Sequence, residues 1–209
     1  MKSVILLPIL LATATAATFA ADPEGGILPN PSFEKSSGER PRGWQVFLTP
    51  AQEPAPGAFF VAHGQEGTDT HSGASALLFS FPDSMEIAQA MWMADPTYGG
   101  ASVEPGHYVC SFWTRTENLP PQFHLWVSIV GFGADGKRIG EVGRSEYLDA
   151  KKLDEGTWSQ IRFPLEVTPG SGITRLAPTV VLKAQPSGDP VTASPDLRVL
   201  VDDLQIHPE

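Results

Sequence analysis

Two tryptophans each stand two residues from a planar hydrogen-bonding side chain. Trp113 precedes Arg115 by two positions, and Trp126 follows His124 by two. In an extended chain such residues share a face. Each run therefore presents an indole beside a rigid polar group. A flat apolar ring flanked by oriented donors suits a ligand with apolar faces and a rim of hydroxyls. Gln89, from the run Met85–Met93, can join this set, with Trp92 and Tyr98 at its rim. If the alternate rows Phe112 and Phe123/Leu125 form the core, both indoles are expected to point out of one sheet, side by side. The competing reading is that a loop, such as Thr49–Gly57 or Asp95–Val103, covers the rings.

Asp202 is the other position with chemical potential. Strict alternation through Leu200, Asp202, Leu204 and Ile206 points its carboxylate inward and Asp203 to solvent. An unpartnered buried carboxylate is costly, so a proton, a cation or hydrogen bonds must satisfy it.

The elements that must position these side chains are strands. Glycine and proline number 20 each and charged residues are only 18% of the 209, a profile of short strands joined by turns. Two-residue alternation recurs in Tyr108–Arg115, Phe123–Ile129, Gln160–Leu165 and Leu200–Ile206, whereas no segment keeps a 3.6-residue apolar period. Ala134-Asp135-Gly136-Lys137 reads as a tight turn with its glycine at positive φ. The expected fold is all-β, a two-sheet antiparallel β-sandwich of jelly-roll type.

Residues 1–21 read as a secretory signal peptide. They comprise a basic start, the apolar run Val4–Leu11 and small residues to Ala21. Cleavage is placed after Ala20, with Ala16 and Ala21 as alternatives, and residues 22–209 form one domain. Export follows, to periplasm or extracellular space. The single cysteine, Cys110, allows no internal disulfide, and its parity with Tyr108 and Phe112 makes it a small buried residue. The net charge of −10 disfavours nucleic acid and anionic lipid. Polyanionic polysaccharides are disfavoured too, unless a local basic patch overrides it.

Four segments, in order, resemble carbohydrate-binding modules of the family 4/9 type. They are Leu28–Glu34 followed by Gly43-Trp44, then His71–Leu77, then Pro105–Arg115, and finally Gly156–Trp158 with Val201–Ile206. Together they cover nearly all of the mature chain. The resemblance implies a galactose-binding-like jelly roll, with polysaccharide or oligosaccharide rings stacked on Trp113 and Trp126. Arg115, His124, Gln89, Trp92 and Tyr98 would complete the concave site. It also implies a structural Ca2+ held by Asp202, the Ser32 carbonyl and Glu34. Trp44 reads as a core lid, Phe33 as a plug at one end of the sandwich, and Gly73 as a positive-φ residue.

No catalytic role is expected. Gly-x-Ser-x-Gly, His-Glu-x-x-His, phosphate-loop and Cys-x-x-Cys patterns are absent. Gln205-Ile206-His207 resembles a motif of jelly-roll polysaccharide lyases, but the companion Arg- and Tyr-rich motifs are missing. The alternative function is a secreted structural or protein-interaction sandwich that binds a protein partner and no sugar.

Overall fold

A computed structural model describes residues 26–37, 40–51, 59–61, 63–81, 85–185 and 189–209. The proposed signal peptide and most of the Thr49–Gly57 loop lie outside the described residues. The strands are β1 (Ser36–Ser37), β2 (Arg40–Pro41), β3 (Trp44–Thr49), β4 (Phe60–Val61) and β5 (Ala76–Ser80). They continue with β6 (Met85–Ile87), β7 (Gln89–Ala94), β8 (Ala101–Ser102), β9 (Gly106–Glu117) and β10 (Phe123–Phe132). The last are β11 (Arg138–Arg144), β12 (Ser159–Val167), β13 (Arg175–Ala184), β14 (Val191–Ala193) and β15 (Arg198–Pro208).

Two antiparallel sheets carry the fold. One is six-stranded in the order β11-β10-β13-β7-β3, with β8 beside β13; the other is five-stranded, β12-β9-β15-β5-β4. The short pairs β1-β2 and β14-β6 stand apart from both. No helix occurs among the described residues. The all-β sandwich expected from the alternating runs is the observed architecture.

The core lies between the two main sheets and takes one side of each strand. Cys110 and Phe112 come from β9, Leu125 and Val127 from β10, Phe163 and Leu165 from β12. Trp92 of β7 is fully buried, and its Nε1 donates to the Leu78 carbonyl of β5 at 3.1 Å. One side chain thus bridges the two sheets and satisfies its only polar atom, as a buried indole must. Phe33 is fully buried and edge-on to Trp44, with ring centroids 5.4 Å apart. Burial pushes the Cys110 thiol well above its usual range, in keeping with an inert packing residue.

Local backbone chemistry follows the sequence at the turns. Gly136 and Gly73 adopt φ of 77° and 61°, as their turns require. A bulge between Asp202 and Gln205 breaks the alternation of β15 where it pairs with β9, and Asp203 there sits at φ 45°. A bulge adds one residue to one strand and so reverses which side the following residues face. Val199 and Val201 enter the core before it, and Leu204 and Ile206 after it.

Candidate functional site

The outward side of the six-stranded sheet carries an apolar row in strict register. Trp126 of β10 pairs with Val181 of β13, Val181 with Met91 of β7, and Met91 with Phe47 of β3. Cross-strand partners share a face, so the four side chains form a band across the strands. Each sits between inward residues: Leu125 and Val127 around Trp126, Ala90 and Trp92 around Met91. Trp126 is 9% exposed, whereas Phe47 at the far end is 39% exposed.

Largely polar rows flank this band. On one side run His124, Lys183, Gln89 and Thr49, and on the other Ser128, Thr179, Met93 and Gln45. These three rows hold no carboxylate. Tyr147 extends the band past β10: its ring meets Trp126 edge-on at 5.1 Å and lies 6.0 Å from His124. Arg144 fixes that tyrosine, with its guanidinium 5.0 Å from the ring centre and Nη1 donating to the hydroxyl at 2.8 Å. Tyr147 is still 41% exposed. His124 Nδ1 is buried with no hydrogen-bond partner. A polar atom left unpaired is a cost that a ligand hydroxyl or water would remove.

Trp126, His124 and Gln89 are therefore brought together as expected. Trp113 and Arg115 are not with them. They lie on β9 in the opposite sheet and face outward on the other side of the molecule. The expectation of two indoles side by side fails because β9 and β10, though consecutive, do not pair.

Residues 63–75 fold over that second face and engage both side chains. The His71 ring stacks on Trp113 at 3.9 Å and 13°, and Trp158 meets His71 edge-on at 5.7 Å. Trp158 Nε1 donates to the Gly67 carbonyl at 3.2 Å, and Arg115 Nη1 donates to the Thr68 carbonyl at 2.7 Å. Arg198 bridges Asp69 at 2.9 Å and Glu117 at 3.3 Å, while Arg115 pairs with Glu117 at 2.9 Å. Its hydrogen bond to Arg198 holds Asp69 below the usual carboxylate range. Trp113 and Arg115 thus serve as fasteners for a covering segment.

Asp202 belongs to the same clasp. It precedes the bulge, so it shares the outward side with Leu200 and does not enter the core between the sheets. It is nonetheless fully buried. One oxygen accepts from the His71 and Ser72 amides at 2.8 and 3.1 Å, the other from the Asp203 amide at 2.7 Å. Asp203 does not face open solvent: it meets His71 Nδ1 at 2.6 Å and accepts from the Ser72 hydroxyl at 2.7 Å. Burial, and then the charge of Asp203, raise the Asp202 carboxyl to about 8.

Glu34 reaches the same segment, its Oε1 accepting from the Ala74 and Ser75 amides at 2.9 Å each. Ser32 is buried beside Pro31, whose carbonyl accepts from the Leu204 amide at 2.9 Å. In charge, Asp202 and Glu34 suit a hard cation. In geometry both already accept N–H bonds, and no cluster of three His, Cys, Asp or Glu ligands forms among the described residues.

Two expected rim residues separate as well. Trp92 faces the core and can touch no ligand. Tyr98 is 64% exposed, on a turn beyond the ends of β3 and β7. Phe47, Met91, Val181, Lys183 and Tyr147 were not anticipated. Alternation within Gln45–Thr49 could have exposed Phe47. Alternation in β13 could have exposed Val181 too, because it shares its side with Arg175, Thr179 and Lys183.

No known protein family matches this sequence, and no curated protein matches it. Solved structures do match in shape. A carbohydrate-binding module, TmCBM61, in complex with β-1,4-galactotriose aligns over 88% of this chain and 99% of its own, with a TM-score of 0.56 and 16% identity. The Stig cyclase Fisc from Fischerella sp. TAU, in complex with a pyrrolidinylidene-indole, aligns over 88% of this chain and 97% of its own, at 0.56 and 12%. The enzymatically active domain of a bacteriophage tailspike protein aligns over 88% of this chain and 21% of its own, also at 0.56 and 12%. At such identities the likeness establishes the β-sandwich fold and nothing finer.

Proposed function

We propose that this chain is an exported, non-catalytic carbohydrate-binding protein that holds a glycan across the outward face of its six-stranded sheet. The observation that carries the reading is the register-aligned row Trp126–Val181–Met91–Phe47, with His124, Lys183 and Gln89 beside it. Neighbouring strands lie about 4.8 Å apart, so the row from Trp126 to Phe47 spans about 14 Å, room for about three pyranose rings. Apolar C–H faces of the sugar would rest on the row, and its hydroxyls would meet the imidazole, amide and ammonium groups alongside.

The fold is one on which a known module, TmCBM61, binds β-1,4-galactotriose. It also serves enzymes, so the site must carry the functional reading. Here the rows offer stacking surface and donors but no carboxylate pair of the kind that hydrolyses glycosidic bonds. Each stacked ring contributes about 0.5–1.5 kcal/mol beyond its buried area. Affinity in the range of about micromolar to millimolar follows. Export rests on the amino-terminal pattern of residues 1–21.

A structural calcium is a separate part of the proposal. Asp202, Glu34 and the Ser32 carbonyl would hold it, and it would neutralise the buried charge beneath residues 71–75.

Affinity electrophoresis through gels containing soluble glycans tests the reading. The native protein should be retarded by at least one neutral polysaccharide. Trp126→Ala and Phe47→Ala should run free while Trp113→Ala is still retarded. Retardation of none, across soluble and insoluble glycans, would leave the protein-interaction alternative.

A further inference from the structure

The turn bearing Tyr98 closes a separate cleft of about 270 Å3 lined by Pro29, Asn30, Lys35, Arg42, Thr97 and Tyr98. Its position follows from the backbone. Arg42 N donates to the Lys35 carbonyl at 2.7 Å, which sets the two cations across the β1-β2 hairpin. The Asn30 amide clamps Lys35 by bonds of 2.9 and 3.0 Å to its main chain. Asp95 N donates to the Gly43 carbonyl at 2.7 Å and seats the Tyr98 turn against that hairpin. The approach is so close that a Cβ on Gly43 would lie 2.8 Å from the Tyr98 backbone. Asp95 Oδ1 then accepts from the Thr97 and Tyr98 amides at 2.7 and 3.2 Å. A firmly held turn therefore presents an uncovered aromatic ring.

The charge of this cleft runs against that of the chain. Lys35 and Arg42 meet no carboxylate among the described residues, and the Lys35 ammonium donates to the Pro29 carbonyl at 3.0 Å. On a molecule of net charge −10, two cations with no carboxylate partner among the described residues, beside an exposed ring, make a local positive site in a repelling field.

We propose that this cleft binds a carboxylated sugar, with the pyranose face on Tyr98 and the carboxylate between Arg42 and Lys35. The planar guanidinium fork matches a carboxylate in two parallel hydrogen bonds, and the ammonium adds a point charge. The choice of a saccharide rests on the function proposed above; the preference for an anion rests on this cleft alone.

Calorimetric titration of the full chain with trigalacturonate tests it, with the methyl ester of that trimer and a sulfated heparin disaccharide as comparison ligands. Trigalacturonate should bind, and more weakly as salt is raised. Arg42→Gln and Tyr98→Ala should each weaken it about tenfold, the methyl ester should bind at least tenfold more weakly, and an excess of the neutral polysaccharide that retards the chain should not compete. Absent binding, equal binding by the variants, or preference for the sulfated ligand overturns the proposal. So does competition by the neutral polysaccharide, which would move the ligand to the sheet face and leave that reading standing.

Discussion

The two outward faces of this sandwich begin with the same kind of equipment and use it differently. Each carries a tryptophan with a planar polar neighbour two residues away, Trp113 with Arg115 and Trp126 with His124. On the five-stranded sheet, residues 63–75 engage most of it: the indole stacks on His71 and the guanidinium caps the Thr68 carbonyl, while Arg115 Nε stays buried without a partner, as His124 Nδ1 does on the other face. On the six-stranded sheet Trp126 is also buried, its ring meeting Tyr147 from the connection after β11, and the band is open only at Phe47 and at Tyr147 itself. Residue type alone does not separate a fastener from a binding platform. What differs is the covering: thirteen residues, 63–75, lie over Trp113 and Arg115, whereas one ring, Tyr147, lies against Trp126 and His124.

That contrast can be broken by mutation in either direction. The largest expected effect is on the clasp. Trp113→Ala removes a stacked, half-buried ring, so stability should fall by about 3 kcal/mol with glycan retention preserved, as thermal melting and gel retardation will read. An unchanged melting temperature would mean that residues 63–75 are not held by that ring.

Calcium comes next. An ion at Asp202 and Glu34 at about a hundred times its Kd would add about 2.7 kcal/mol, so chelation should lower the melting temperature and added Ca2+ restore it. The pH profile sharpens this. In chelator the folded Asp202 keeps its proton up to about 8, whereas the unfolded carboxyl releases it near 3.8. The folded state therefore binds more protons across that interval, and stability should decline as pH rises through it. Calcium should flatten the profile. Melts indifferent to chelator and to Ca2+ remove the ion.

Trp126→Ala should weaken glycan binding at least tenfold, about 1.4 kcal/mol, and because the ring is only 9% exposed it should lower the melting temperature as well. The smallest effect is at the rim of the clasp. Arg198→Gln loses two partly exposed ion pairs and should cost less than about 1 kcal/mol, less again in high salt. A larger loss would make the charge chain, and not the rings, the main fastening.

Much of the fold was legible because two-residue alternation reports directly which side of a strand is buried. Phe112, Phe123 and Leu125 were placed correctly on that basis, and the turn at Gly136 by its need for positive φ. Alternation is silent on which sheet a strand joins. Consecutive strands pair roughly two-thirds of the time, but residues 118–122 carry the chain across the sandwich, and Trp113 parts from Trp126. It also presumes an unbroken ladder. The bulge at Asp203 inserted one residue, and Asp202 went to the covered outward face. Trp92 shows the third limit: a strand gives a large aromatic residue two directions, and here the interior took the ring.

The central claim is that the six-stranded face binds the glycan and the five-stranded face does not, and indole N–H resonances read both at once. In a two-dimensional 1H–15N titration of the full chain with the glycan that retards it, the Trp126 indole signal should shift progressively and saturate. The Trp113 signal should stay where it is. Movement of Trp113 with Trp126 unmoved would contradict the assignment of the binding face.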